Sequence, residues 1–227
     1  MRIALFISGK VRTLFFKFHK NLELIRDRYP NCEIDVYYSF WDAIDRTDMI
    51  NDPWHFKAED YNLDGIDKDF IDNYFSLHGV KSVGEIEPCD IMKEVISKSP
   101  FIDTKKGLSS QYYKMYRVVE KYFNDNYDLY VRIRSDLIVH DFPLINFFED
   151  NTVAINSHYW YNQPYDGDNC NEMILVSTKK CFLKCNQLYL NQEKFTHQYG
   201  EFIMGSYLKS LSEISLKTFN FNYRVVR

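Results

Sequence analysis

The stretch of sequence that decides the fold spans residues 127–139 and reads Tyr-Asp-Leu-Tyr-Val-Arg-Ile-Arg-Ser-Asp-Leu-Ile-Val. Its side chains alternate with a period of two. They form two sets, one on each side of the chain: Leu129, Val131 and Ile133, and Tyr130, Arg132 and Arg134. This alternation, combined with the apolar content, predicts a buried β-strand.

The charged residues of this stretch predict a binding site at its end. Two arginines, Arg132 and Arg134, on one side of a buried strand are costly unless an anion or a carboxylate pairs with them. A diphosphate, together with a metal ion on Asp136, would meet that need. The alternative is an internal salt bridge from Arg134 to Asp128 or Asp136.

Outward from this strand, the N-terminal sequence predicts a β-α-β unit. Residues 3–8 form a short apolar run, residues 15–28 have apolar side chains at helical spacing, and residues 34–40 form a second strand-like run. Strand, helix and strand in such a short span imply parallel pairing and a right-handed crossover.

The remaining elements complete an α/β pattern. Ser109 or Ser110 is the expected N-cap of a helix over residues 109–123. Residues 43–107 read as a mixed insertion or edge region with a weak strand over 80–86. Later strands are expected over 152–155, 173–177 and 219–225, and helices over 181–189 and 201–211. Together these predict a single Rossmann-like domain over residues 1–227, with a mostly parallel central sheet flanked by helices.

Composition excludes several classes of protein. Of 227 residues 45% are hydrophobic, which supports one sizeable core and excludes global disorder. The net charge of −4 gives no bulk attraction to nucleic acid. Five cysteines without metal-binding spacing indicate reduced thiols in a cytoplasmic protein. No apolar segment is long enough to span a membrane, so any membrane contact would be peripheral.

Polar side chains follow the first strand and line the predicted helix. Gly9 permits a turn after Ser8, and Lys10 or Arg12 could hold a phosphate, although the second glycine of a dinucleotide-binding loop is missing. On the helix, Gln111 and Lys114 share one face. That face is either solvated or points over the strand ends into a ligand site.

Three other candidate residues each have two interpretations. Trp41, beside Ser39 after the second strand, either stacks on a ligand or belongs to the core. Asp166 and Asp168 lie in an acidic segment that suits either a binding loop or an ordinary turn. Glu201 lies at a helix start, where the helix dipole stabilises a carboxylate.

Three motifs in this order carry a family resemblance: Ile-Ser-Gly-x-Val-Arg-Thr near the start, Asp-Val-Tyr-Tyr-Ser-Phe-Trp-Asp at 35–42, and residues 127–136. The sequence resembles GT-A-type glycosyltransferases, in particular small bacterial and viral enzymes of capsule and lipopolysaccharide synthesis. The resemblance implies a nucleoside diphosphate sugar as donor and a D-x-D motif that holds a divalent ion at the end of a central strand.

This sequence departs from the D-x-D motif at its first acid. Arg134, Ser135 and Asp136 take the three positions, so the resemblance implies that Asp136 binds Mn²⁺ or Mg²⁺ and that Ser135 lies next to the donor. Only one local carboxylate is offered, and these ions prefer several oxygen ligands. Either another acid or His197 completes the site, or Arg134 neutralises the diphosphate without a metal.

The resemblance implies transfer of a sugar to a glycan, a lipid-linked acceptor or another hydroxyl acceptor. Residues 1–139 are expected to bind the nucleotide sugar, through Ser8, Gly9, Lys10, Arg12, Gln111, Lys114, Arg134 and Ser135. Residues 140–227 are expected to form the acceptor side. An inverting reaction needs a base, for which Asp166, Asp168 and Glu201 are the candidates. A nucleotidyltransferase and a non-catalytic carbohydrate- or protein-binding module are the alternatives.

Overall fold

The computed structural model describes residues 1–11, 18–42, 66–101, 107–145, 149–156, 173–195, 200–219 and 221–225. The strands are β1 (Arg2–Lys10), β2 (Glu33–Asp42), β3 (Lys81–Pro88), β4 (Leu129–Arg134), β5 (Leu137–Asp141), β6 (Thr152–Asn156), β7 (Ile174–Ser177), β8 (Ser215–Phe219) and β9 (Asn222–Val225). The α-helices are α1 (His19–Arg28), α2 (Lys68–Leu77), α3 (Cys89–Ser97), α4 (Gly107–Tyr122), α5 (Lys179–Cys185), α6 (Leu188–Asn191) and α7 (Gly200–Ser210), and a 3₁₀ turn spans Gln192–Lys194.

A seven-stranded sheet organises these elements in the order β3-β2-β1-β4-β7-β6-β8. Among the described strands of this sheet, β7 alone runs antiparallel to its neighbours. A second, two-stranded sheet pairs β5 with β9. The predicted α/β architecture with a mostly parallel sheet is therefore confirmed.

The β1-α1-β2 unit has the predicted parallel pairing, with Ile3 beside Ile34 and Lys10 beside Trp41. On its other side β1 pairs in parallel with β4, which places Ser8 beside Arg134. The chain therefore builds outward from β1 through β2 to β3 and then returns to add β4 on the opposite side of β1. The strand order reverses between β1 and β4.

Apolar side chains on the two faces of this sheet form two cores, as the alternation in β4 predicts. Leu129, Val131 and Ile133 pack in the core beneath α1 and α2, with residues such as Leu22 and Phe75. Tyr130 packs in the opposite core, with apolar residues of α4 and α5. The buried, two-sided character of β4 follows directly from its position in the middle of the sheet.

The prediction of one continuous strand over residues 127–139 is wrong. The chain turns at Ser135 and Asp136, and β5 leaves the main sheet to pair with β9. The side chain of Asn21 on α1 holds β5 there: its amide donates to Leu137 O at 2.7 Å, and its oxygen accepts from Val139 N at 2.8 Å. A long-range contact of this kind is invisible in the local pattern.

Three other boundaries differ from the sequence-based ones. Of the expected strand over 219–225, Phe219 ends β8 and residues 222–225 form β9, and these two strands belong to different sheets. The expected helix over 181–189 is divided into α5 and α6. Neither Ser109 nor Ser110 caps α4, because the helix begins at Gly107; Ser110 Oγ donates to Gly107 O at 2.8 Å, and Ser109 Oγ donates to Gln192 Oε1 at 2.8 Å.

The region that the sequence left as a mixed insertion or edge contains α2, β3 and α3 within its described part, and β3 is the edge strand of the sheet. Cys32, Cys89, Cys181 and Cys185 are free thiols. None of the helices in the described ranges combines the length and apolar character needed to cross a bilayer.

The edge strand β3 depends on a glycine that accommodates an aromatic ring. A Cβ placed on Gly84 would lie 2.3 Å from Cγ and Cδ2 of Tyr38. The Tyr38 ring is fully buried and stacks on Phe40 at 5.2 Å. The ring therefore has little freedom to move away from a larger residue at position 84.

We expect Gly84→Ala to lower the free energy of unfolding by about 1–3 kcal/mol, because the added methyl overpacks a rigid core contact. Gly107→Ala is the matched control. A Cβ at Gly107, the first residue of α4, meets no atom of the described residues within 4 Å, so this change should be neutral or slightly stabilising. Urea denaturation measures both, and equal stabilities for the two variants would contradict the Tyr38 contact.

Candidate functional site

The carboxyl ends of β3, β2, β1 and β4 share one edge of the sheet because these four strands run in parallel. In open α/β sheets ligands bind outside this edge, at the point where the strand order reverses. In this fold that point lies between the ends of β1 and β4. The end of β1 carries Ser8 and Gly9, and the end of β4 carries Arg134.

Arg134 and Asp136 form a bidentate ion pair at the end of β4. Arg134 Nε donates to Asp136 Oδ1 at 3.0 Å, and Arg134 Nη2 donates to Asp136 Oδ2 at 2.6 Å. The side chains are 20% and 9% exposed. This is the internal salt bridge that the sequence offered as an alternative, formed with Asp136; Asp128 instead accepts from Arg2 N at 2.7 Å.

The end of β1 lies directly against this pair. Gly9 has a φ of +126°, a backbone conformation that favours glycine, and a Cβ at this position would lie 3.5 Å from Ser135 Oγ. Ser8 and Ser135 are both buried. The strand continues through Gly9 to Lys10. The Lys10 side chain and all of Arg12 lie outside the part of the chain that the structure describes.

Arg132 is hydrogen-bonded to a side chain at the end of α5. It is buried, and its Nη1 donates to the side-chain oxygen of Asn186 at 2.8 Å. The Asn186 amide in turn donates to Phe182 O in α5 at 2.8 Å. Arg132 therefore has a neutral amide as one of its partners, whereas Arg134 has the carboxylate of Asp136.

Lys114 lies over the strand ends of β2 and β3. Its side chain is fully buried, so the solvated reading of this position is wrong. Lys114 Nζ donates to Glu87 Oε2 at 2.6 Å and to Ser39 Oγ at 3.1 Å. Burial lowers the pKa of Lys114 to about 8, against the opposing effect of Glu87. Gln111, one turn earlier on α4, is half-buried.

Trp41 is a core residue of this edge. It is 2% exposed, stacks on Tyr113 with ring centroids 5.5 Å apart, and lies 4.0 Å from Lys114 Nζ in a cation–π contact. Its Nε1 is buried without a hydrogen-bond partner in the structure as described. Burial and the nearby Glu87 raise the pKa of Tyr113 to about 12.

Sequence reasoning missed the acidic partners of α4. Glu85 and Glu87 lie two residues apart on β3 and both face the cations of α4. Lys114 lies 2.6 Å from Glu87. Arg117 lies 3.7 Å from Glu85, and Lys121 also contacts Glu85. The available signal was charge complementarity, with two acids at strand spacing and three bases at helical spacing.

The described residues do not fit a divalent ion. Both oxygens of Asp136 accept hydrogen bonds from Arg134. Within the described residues, no group of three or more His, Cys, Asp or Glu side chains is placed to hold a metal. Asp166, Asp168 and His197 lie outside those residues; Glu201 is the second residue of α7, and its side chain is not described.

Solved structures with the same fold are glycosyltransferases. The galactosyltransferase LgtC, in complex with donor and acceptor sugar analogs, matches with a TM-score of 0.53 and 12% identity over 95% of this chain and 73% of its own. A structure of an active-site mutant of LgtC matches with a TM-score of 0.52 and 12% identity over 92% of this chain and 70% of its own.

The chain has a GT-A-type fold. That confirms the fold expected from the sequence resemblance. Mouse xyloside xylosyltransferase 1 matches at a TM-score of 0.49, with 9% identity over 96% of this chain and 85% of its own. No protein-family model and no curated protein sequence matches the chain. At these identities the likeness establishes the fold alone, and the reaction must be argued from the residues.

We expect Glu87→Gln to lower the free energy of unfolding by about 3 kcal/mol at neutral pH, because it leaves the buried Lys114 ammonium without its carboxylate. Adding Lys114→Met should recover most of the loss, since an apolar side chain of similar length replaces the charge. Glu120→Gln is the control: its side chain is 44% exposed and pairs with Arg117, so the loss should stay below about 1 kcal/mol. A double variant as unstable as Glu87→Gln would contradict this account.

Proposed function

We propose that the protein is a glycosyltransferase that moves a sugar from a nucleoside diphosphate sugar to a glycan or another hydroxyl acceptor. The observation that carries the proposal is the position of Arg134 and Asp136 beside Gly9, where the strand order reverses, in a fold shared with a galactosyltransferase. LgtC was solved with donor and acceptor sugar analogs, and the same two classes of ligand are proposed here.

The donor diphosphate is proposed to bind at the ends of β1 and β4. When the bond between the sugar and the diphosphate breaks, negative charge builds on the diphosphate, and fixed cations stabilise it. Arg134 supplies one such cation. Lys10 and Arg12, which follow Gly9 in the sequence, are proposed as others, and Ser8 and Ser135 as hydrogen-bonding neighbours.

The proposed role of α4 is to shape the donor side of the sheet edge. Gln111 is the donor-contacting candidate on this helix because it is half-buried. Lys114 is fully buried against Glu87 and Trp41. We therefore propose that Lys114 acts on the donor site by positioning Trp41 and the ends of β2 and β3.

The acceptor is proposed to bind through residues 140–227. In an inverting reaction a carboxylate must accept the proton of the acceptor hydroxyl. Asp166, Asp168 and Glu201 are the proposed candidates for that base. A retaining reaction needs no such base.

The test begins with a thermal-shift screen of UDP-, GDP-, CMP- and dTDP-sugars, because a ligand that binds the native state raises the melting temperature. The sugar nucleotide that does so is then used in a transfer assay. We expect Arg134→Met to lower kcat/KM by about 100-fold or more, since it removes a cation that stabilises the leaving diphosphate.

Arg28→Met is the matched control. Arg28, at the end of α1, forms an exposed ion pair with Asp141 at 3.0 Å, and its loss should leave transfer unchanged. Carbohydrate binding that ignores both the nucleotide and Arg134→Met would contradict the proposal and favour a non-catalytic module. Stabilisation by nucleoside triphosphates alone would favour a nucleotidyltransferase.

A further inference from the structure

The ion pair at the end of β4 bears on how the donor diphosphate is neutralised, a question that rests on the proposed function. Arg134 stands where the D-x-D motif of the resembled glycosyltransferases has its first acid. The local charge at that position is therefore reversed. A divalent ion would need the carboxylate oxygens of Asp136 as its ligands, whereas a guanidinium needs the same oxygens as hydrogen-bond acceptors.

The chemistry of Asp136 favours the guanidinium. Its two oxygens accept from Arg134 Nε at 3.0 Å and from Arg134 Nη2 at 2.6 Å, and its side chain is 9% exposed. A divalent ion on these oxygens would have to share them with a fixed positive charge, which repels it. Bidentate hydrogen bonds between arginine and a carboxylate are also among the strongest hydrogen bonds in proteins.

The chemistry of Arg134 suits a phosphate. A guanidinium stays charged at every physiological pH and presents five N–H donors in a planar fork that matches phosphate oxygens. Two of those donors bond to Asp136, which fixes the plane of the fork. The 20% exposure of the Arg134 side chain shows that the pair is not sealed beneath the surface.

The surroundings of the pair match the place where a donor would lie. Arg134 is beside Ser8 in the register of β1 and β4. Gly9 adopts a φ of +126°, and a Cβ at this position would lie 3.5 Å from Ser135 Oγ, so the glycine leaves the space next to Ser135 without a side chain of its own. Close backbone approach at a glycine is a common feature of phosphate sites at strand ends.

We propose that Arg134, held in orientation by Asp136, contacts the donor diphosphate in place of a divalent ion. Donor binding is then independent of metal. Asp136 is a positioning residue in this arrangement, because it acts on the diphosphate through Arg134.

Calorimetric titration with UDP, GDP and dTDP, in EDTA and again in Mn²⁺, tests the proposal on the wild-type protein. We expect at least one of the three to bind with the same Kd under both conditions. Arg134→Met should raise that Kd by about tenfold or more in EDTA, since a hydrogen-bonded charge is lost. Arg28→Met should leave it unchanged.

Asp136→Asn separates the two roles of the carboxylate. Asparagine keeps an oxygen that accepts from Arg134 but is a poor ligand for a divalent ion. We expect this variant to raise the Kd by about threefold to tenfold, and by the same factor in EDTA and in Mn²⁺, because it removes one of the two bonds that orient Arg134. Asp141→Asn, at the exposed pair with Arg28, is its control.

Binding that requires Mn²⁺, and that Asp136→Asn abolishes, would overturn metal independence while leaving the glycosyltransferase function in place. Unchanged binding in Arg134→Met would overturn the proposed contact between Arg134 and the diphosphate. If Arg134→Met fails to fold, Arg134→Lys replaces it and should weaken binding by a smaller factor. Failure of all three nucleotides in both conditions, with no transfer from any sugar nucleotide, would overturn the proposed function and this inference together.

Discussion

The parallel pairing of β1 with β4 brings the candidate site together. Its register runs from Ile3 beside Leu129 to Ser8 beside Arg134. Ile3 and Ile7 are buried in one core and Ala4 and Phe6 in the other, so β1 is fixed between the two cores of the sheet. A shift by one residue would move every side chain of β4 to the opposite face. The same apolar packing that stabilises the fold therefore delivers Arg134 to the end of β1.

Charge complementarity between α4 and β3 fixes the neighbouring part of the edge. Lys114 is fully buried between Glu87 and Trp41, while Arg117 and Lys121 approach Glu85. Buried ion pairs add little net stability because both charges lose their hydration. We interpret this cluster as a means of specifying how α4 sits on the sheet, which sets the shape of the edge above β2 and β3.

The sequence was sufficient for features that depend on local periodicity. The alternation in residues 127–139 predicted the two-sided burial of β4, and the strand-helix-strand pattern predicted the parallel pairing of β1 with β2. The turn at Ser135 was missed because it depends on Asn21 of α1, which holds the next strand in a different sheet. The burial of Lys114 was missed because its partner Glu87 lies on a strand whose place in the sheet the local sequence does not specify.

The candidate site also has features that the sequence predicted and features that it did not. The sequence alone located the cluster at the end of β4, and it offered both the anion site and the internal salt bridge as partners for Arg134. It could not separate the two arginines, since the amide of Asn186 that accepts from Arg132 comes from a distant part of the chain. Side-chain partners that are far apart in sequence are set by tertiary packing, which the periodicity of a single strand does not record.

The most direct measurement is a crystal structure of the protein with a bound nucleoside diphosphate. Our account predicts diphosphate oxygens about 3 Å from the Arg134 guanidinium, at the edge between β1 and β4, with Asp136 still holding the arginine. A diphosphate bound elsewhere, or one joined to Asp136 through a metal ion with Arg134 turned away, would contradict it.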